Sequence, residues 1–374
     1  MSGKPPLRGG LEGLNMEFNL DILVRENIKK MTAYSSARHE FNGQASIYLD
    51  ANENSFGSPL QGLPSPSGEG LGVRFNRYPD PLQIQVKEKL SRIKGVPPQN
   101  IFLGNGSDEA IDLLFRIFCV PGRDNVIIFP PTYGMYEVCA EMNDVQVKKV
   151  NLTNDYQLNI AAIEAAIDPF TKLIFICSPN NPTGNSINRN DVEVILNNFN
   201  GLVVIDEAYI NYAKQKTFIP ELTEYPNLLV MQTLSKAWGL AGLRLGMAFA
   251  SQPVIDLMNK VKYPYNINTA TQLLASEALD NIEWVNEHIS VTVSEREKLK
   301  INLLTLPYTE FVYPSDSNFL LVKMNNARKI YDSLSTGGII VRDRSKVVLC
   351  DNCLRITIGT EKENQALIDA LKKL

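Results

Sequence analysis

Between about residues 100 and 250, short runs rich in β-branched and aliphatic residues alternate with stretches of helical spacing, and few folds accommodate that order. The runs fall at 126–129, 172–177, 202–205, 228–232 and 245–250, and residues 160–167 and 191–199 carry the helical period. Strands that take turns with helices form a largely parallel sheet covered on its faces, so the chain is expected to be α/β. Beyond Pro264 the pattern changes. Residues 269–306 read as one long helical region, followed by strands at 317–324, 339–342 and 354–358 and helices at 327–335 and 361–373. These define a smaller second domain. We expect a large domain over 49–265, a small domain over 266–374, and an N-terminal arm, 16–48, that joins the small one. Residues 1–15, rich in Gly and Pro ahead of a second methionine, Met16, read as an extension outside the fold. Residues 58–72 read as a surface loop.

A chain of 374 residues with 44% hydrophobic content has material for about two domains and a substantial core. The net charge is -4, with no run of Lys and Arg, which argues against a nucleic-acid partner or a polybasic membrane patch. No stretch approaches the ~20 apolar residues of a bilayer span, and no basic segment leads into an apolar one at the N-terminus. A cytoplasmic location is expected. Of five cysteines, Cys119, Cys139 and Cys177 lie in apolar surroundings that suit buried free thiols. Cys350 and Cys353 form a C-x-x-C without a second pair, and the two histidines, His39 and His288, are far away in sequence. No metal site is expected.

In sheets of this kind, ligands bind outside the carboxyl ends of the strands. Three such ends carry polar motifs here: Ser178-Pro-Asn-Asn181-Pro-Thr-Gly184, Asp206-Glu-Ala-Tyr209, and Thr233-Leu-Ser235-Lys236-Ala-Trp-Gly-Leu-Ala-Gly-Leu-Arg244. Each has an ordinary reading on its own. Lys236 as a surface lysine, Asp206 as a helix N-cap, Asn181 within a turn sequence and Tyr133 as a loop anchor all fit their local sequences. The segment Gly104-Asn-Gly106-Ser107-Asp108 feeds a helix. By itself it is equally a capped connection or a phosphate site built on open amides and the helix dipole.

Taken together, these motifs resemble those of the fold type I pyridoxal 5'-phosphate (PLP) dependent aminotransferases, and among them the histidinol-phosphate aminotransferase group. The resemblance spans nearly all the chain after Met16. It extends to Leu49-Asp-Ala-Asn52-Glu-Asn54, Arg77-Tyr78-Pro-Asp-Pro81, Pro131-Thr-Tyr133-Gly-Met-Tyr136, Val341-Arg342 and Leu354-Arg355-Ile-Thr-Ile-Gly359. Ser55 departs from the proline common after the Asn-Glu-Asn, and the Gly/Pro loop that follows is a second departure. The resemblance implies a fold type I PLP-dependent transferase, with a mostly parallel seven-stranded sheet sandwiched by helices and a smaller α/β C-terminal domain. It implies Lys236 as the PLP-bearing lysine and proton carrier, and Asp206 as the partner of the ring nitrogen. Asn181 and Tyr209 would meet the ring oxygen, and Tyr133 the ring face. Ser107, Asp108, Ser235 and Arg244 would hold the phosphate, with Tyr78 contributed across a homodimer interface. Arg355 is implied as the substrate-anion residue, with Arg342, Tyr34 and Asn52 beside it. For Arg342 the sequence leaves a salt bridge to Asp343 equally open.

The implied reaction is transamination of L-histidinol phosphate with 2-oxoglutarate to imidazole-acetol phosphate and glutamate, a step of histidine biosynthesis. Two alternatives share the fold: an aromatic amino acid aminotransferase and a threonine-phosphate decarboxylase. A PLP-sensing transcription regulator would require an added DNA-binding domain, for which the residues ahead of the fold are too few.

Overall fold

The computed structural model describes residues 18–32 and 75–374. Seven strands form the large sheet: β1 (Ile101–Asn105), β2 (Asn125–Ile128), β3 (Gln146–Lys149), β4 (Thr171–Cys177), β5 (Leu202–Asp206), β6 (Leu228–Thr233) and β7 (Leu245–Ala250). Their order is β1-β7-β6-β5-β4-β2-β3. All neighbours are parallel except β7, which runs antiparallel to both β1 and β6. Side chains alternate across a strand. Thus Val203 and Ile205 enter one core with Val192, Ile195 and Leu90, while Leu202 and Val204 enter another with Ile111, Leu114 and Val254. Helices on both faces explain why the central runs are apolar at every position.

A second sheet of four antiparallel strands comprises β8 (Thr309–Val312), β9 (Phe319–Met324), β10 (Arg342–Asp343) and β11 (Cys353–Thr357), in the order β10-β11-β9-β8. Helices Ala327–Thr336 and Glu361–Leu371 close its core through Ile330, Leu334, Leu367 and Leu371.

Several expectations need correction. The region 269–306 is two helices, Thr269–Leu279 and Ile282–Leu304, separated at Asp280 and Asn281. The expected boundary at 265/266 does not coincide with a change of core. Ala275 and Leu279 still belong to the large core, and helix Ile282–Leu304 begins there with Val285 and ends in the small core with Leu299 and Leu303. The N-terminal arm was expected on the small domain, yet its described part packs on the large one. Leu23, Val24 and Ile28 join the core around Ile111, the Arg25 N–H donates to Ile117 O at 3.1 Å, and Lys260 Nζ donates to Ile28 O at 2.7 Å. The strand expected at 339–342 is reduced to Arg342–Asp343, because the Ile339 N–H turns back to Leu334 O at the end of the preceding helix. Residues 1–15, 34, 49–55 and 58–72 lie outside the described residues.

Candidate active site

Strand direction gathers the site. The carboxyl ends of β1, β2, β4, β5 and β6 lie along one edge of the sheet, and β7, being antiparallel, starts there. The β6–β7 connection therefore brings Lys236, just after β6, and Arg244, just before β7, to the edge that also carries Ser107, Tyr133, Asn181 and Asp206.

Asp206 closes β5 at 3% exposure. Its Oδ2 accepts from the Tyr136 hydroxyl at 2.7 Å and its Oδ1 from the Ala208 N–H at 3.0 Å, both neutral donors. Burial pushes its carboxyl above the ordinary carboxylate range, against the lowering effects of those two bonds; Asp108 adds to the rise and Lys236 opposes it. A buried carboxylate without a bonded cation is costly, so the position suits a cationic ring N–H. Tyr136 is fully buried, stacked on Phe175 at 4.9 Å and edge-on to Tyr133 at 5.6 Å.

At β1 the helix Ser107–Phe118 starts without a side-chain cap, so its first amides have no side-chain acceptor. Gly106 sits at φ +76°, where a Cβ would come within 2.6 Å of Arg244 Nη2. The Gly106 N–H donates to Arg244 O at 2.6 Å. At Gly246 a Cβ would lie 2.2 Å from Ser107 N, so the missing side chain lets β7 run directly against the helix start. Asp108 holds Arg244 Nη2 at 3.3 Å and accepts from the Tyr133 hydroxyl at 3.1 Å. Amides, an arginine and the half-buried Ser235 make this end suited to a phosphate.

Lys236 is exposed along its chain, yet protein surrounds its ammonium closely enough that lost hydration, followed by repulsion from Arg355, holds its pKa below the usual lysine value. Its Nζ lies 5.5 Å from the centroid of the Tyr209 ring, which meets Phe319 edge-on at 5.1 Å. Arg355, on β11, reaches across from the small sheet: Nη1 donates to Asn181 Oδ1 at 2.5 Å. Arginine only donates, so Oδ1 must face it, which leaves Asn181 Nδ2 as a donor for another partner. That suits a ring oxygen. Arg342 stands directly opposite Arg355 in the β10–β11 pair. The acid beside it, Asp343, is engaged by Arg328 at 3.6 Å rather than by Arg342.

The structure thus gathers Ser107, Asp108, Tyr133, Asn181, Asp206, Tyr209, Ser235, Lys236, Arg244, Arg342 and Arg355 around one edge. Tyr78 lies on a loop, 52% exposed, stacked on Tyr265 at 4.4 Å. Tyr34 and Asn52 lie outside the described residues. Sequence reasoning assigned no role to Tyr136, although it closes the same motif as Tyr133. Nor did it single out Arg344.

A lysine at the end of a core strand, a buried carboxylate and an uncapped helix start, all on one sheet edge, define a PLP-dependent enzyme of the aminotransferase type. The chain belongs to the family of class I and II aminotransferases, whose model matches residues 46–371. It is 51% identical over 357 residues to a histidinol-phosphate aminotransferase of Cytophaga hutchinsonii, covering 96% of this chain and 99% of that one. It is also 51% identical over 355 residues to one of Bacteroides thetaiotaomicron, covering 95% and 98%. Among solved structures, the histidinol-phosphate aminotransferase of Sinorhizobium meliloti in complex with pyridoxal-5'-phosphate superposes with a TM-score of 0.75 at 25% identity, covering 86% of this chain and 89% of that one.

Proposed function

We infer that the chain transfers the amino group of L-histidinol phosphate to 2-oxoglutarate, giving imidazole-acetol phosphate and glutamate in histidine biosynthesis. The observation that supports this reading is that Arg355, directly opposed to Arg342, lies close enough to the Lys236 amine to repel it, as an anion site beside that amine would. Bound PLP supplies an electron sink and carries the amino group between the two half-reactions. Lys236 Nζ would hold its aldehyde carbon, Asp206 its ring nitrogen, Asn181 and Tyr209 its ring oxygen, and Tyr133 its ring face. The amides of Ser107 and Asp108, with Ser235 and Arg244, would hold its phosphate. Tyr78 from a second copy of the chain completes that phosphate site, which makes the working enzyme a homodimer. Five free, buried cysteines accord with a reducing, cytoplasmic setting.

The protein's own work is binding and proton transfer. Arg355 and Arg342, with Tyr34 and Asn52, hold the anionic end of each substrate and so set its amine-bearing carbon against Lys236. Lys236 Nζ takes the proton from that carbon. Its lowered pKa increases the fraction of free amine near neutral pH, as a general base requires. Asp206 must be ionised to hold a ring N–H, and Tyr136 and Ala208 favour that state. One anion site serves both half-reactions, since histidinol phosphate offers a phosphate and 2-oxoglutarate its carboxylates.

The test is steady-state turnover. Histidinol phosphate with 2-oxoglutarate should yield glutamate, with kcat/KM above those for phenylalanine, tyrosine and aspartate. Preference for the aromatic donors, or carbon dioxide from L-threonine phosphate without glutamate formation, would overturn the assignment.

A further inference from the structure

Three arginines of the smaller sheet turn to one side. Arg342 and Arg355 are directly opposed, and the Arg344 N–H donates to Cys353 O at 2.8 Å, which continues the β10–β11 pairing past Asp343. Side chains alternate along a strand and opposed residues share a face, so Arg342, Arg344 and Arg355 project together. Asp343 projects the other way. There its carboxylate meets Arg328 at 3.6 Å and accepts the Ser345 N–H at 2.9 Å. The one acid within this arginine segment is therefore turned from the cluster.

Among the described residues Arg342, Arg344 and Arg355 enter no ion pair, and the Nε atoms of both Arg344 and Arg355 are buried without a hydrogen-bond partner. Burial, followed by repulsion from Arg342, lowers the pKa of Arg344, while Cys350, Asp343 and, more weakly, Tyr209 act on it in the opposite sense. Arg355 is also depressed by burial, with Arg344 and Arg342 adding to the fall and Tyr209 opposing it. Arg344 thus lies within electrostatic reach of both Tyr209 and Arg355. Three mutually repelling guanidiniums with spare donors are costly to hold together unless an anion joins them.

We propose that Arg344 is a third substrate-anion residue and that it makes the site select a doubly charged end, a phosphate monoester, over a single carboxylate. This deepens the function proposed above and rests on its reading of Arg342 and Arg355. A phosphate monoester carries close to two charges at neutral pH and three acceptor oxygens, which can engage more guanidinium forks than a carboxylate can. Asn181 already takes one donor of Arg355, so the third arginine replaces what that bond removes.

The experiment compares PLP-loaded wild type with Arg344→Gln and Arg344→Lys, so that the cofactor's own phosphate site is filled. Arg344→Gln should raise the KM for histidinol phosphate about tenfold, as expected for one lost charge-assisted hydrogen bond, with kcat changed by less than about twofold. The KM for phenylalanine should stay within about twofold, and Arg344→Lys, which keeps charge without the fork, should fall between the two. Inorganic phosphate should raise the thermal midpoint of wild-type holoenzyme more than that of Arg344→Gln. An unchanged KM together with unchanged phosphate stabilisation would refute the proposal, as would equal losses for both donors. Failure of wild type to turn over histidinol phosphate would sink the functional reading alone. The phosphate stabilisation, lost or kept in Arg344→Gln, would still decide the role of Arg344.

Discussion

Glu207 follows Asp206 but points away from the site into a pocket of neutral donors, 1% exposed. Its Oε1 accepts the Phe218 N–H at 2.7 Å, and its Oε2 accepts from the Thr217 hydroxyl at 2.5 Å and Gln232 Nε2 at 2.9 Å. Among the described residues no cation is bonded to it, and burial pushes its pKa from 4.5 up to about 7, against those three bonds and a more distant Lys94. The folded chain then binds a proton that the unfolded chain has released, so stability falls as pH rises from about 4.5 and levels off above about 7. At about 1.4 kcal/mol per pH unit the loss is about 3 kcal/mol, most of it between pH 5 and 8. Glu207→Gln removes the titration. Gln232 Oε1, now buried without a partner, can accept from the new amide after a flip of the Gln232 side chain. Urea denaturation of both proteins across pH 5–8, at one protein concentration, should show wild type losing about 2–3 kcal/mol relative to the variant. Parallel curves would refute the argument, because they would mean that Glu207 titrates alike in the folded and unfolded chains.

Other substitutions probe the cofactor edge. Tyr136→Phe removes the 2.7 Å donor to Asp206, raising its pKa further, and should weaken PLP binding about 10- to 100-fold in equilibrium dialysis; wild-type affinity would show that the bond is dispensable. Gly246→Ala places a Cβ against Ser107 N, so β7 or the helix start must shift; we expect a destabilisation of about 1–3 kcal/mol and looser PLP retention, and neither would occur if that contact relaxes freely. Lys236→Ala should abolish both turnover and borohydride-fixed PLP detected by mass spectrometry, and full turnover would displace Lys236 from its role.

What the sequence made legible follows from burial. Strands β4 to β7 are covered on both faces, so their apolar runs have sharp limits, and the motifs at Cys177, Asp206 and Thr233, where β4 to β6 end, and before Leu245, where antiparallel β7 begins, mark the site edge. The strand β1 escaped because Gly104 and Asn105 blur it into the loop beyond, and β3 because it is a polar edge strand with no buried position. Tyr136 carries no local signal of its carboxylate partner, which lies 70 residues away. Arg344 gains meaning only once the pairing of residues 342–344 with 353–355 puts it on the face of Arg355. Helical period shows that residues near Leu23 and Ile28 bury one face, but both domains offer an apolar partner. The choice between them lies in hydrogen bonds to Ile117 and from Lys260 that no pattern of spacing encodes.

The contact between Arg355 and Asn181 joins the two sheets, and in the function proposed above it links the residue for the substrate anion to one for the cofactor ring. A second tie lies alongside it: the Asp316 N–H donates to Gly184 O at 2.7 Å, holding the loop after β4 to the chain entering β9. The loop that positions Asn181 is therefore fastened from the small sheet, and under the proposed function the state of Arg355 would bear on both ligands at once. Asn181→Asp tests this with almost no change of shape. A carboxylate at 2.5 Å from Nη1 would pair with Arg355, compete with any arriving anion, and turn the amide donor toward the ring oxygen into an acceptor. The variant should show a KM for histidinol phosphate raised about 10- to 100-fold and weaker PLP binding, while Asn181→Ala, which adds no charge, should raise KM less. Equal KM values in the two variants would mean that Arg355 is not held through Asn181, and the link between substrate anion and cofactor would have to run through Tyr209 instead.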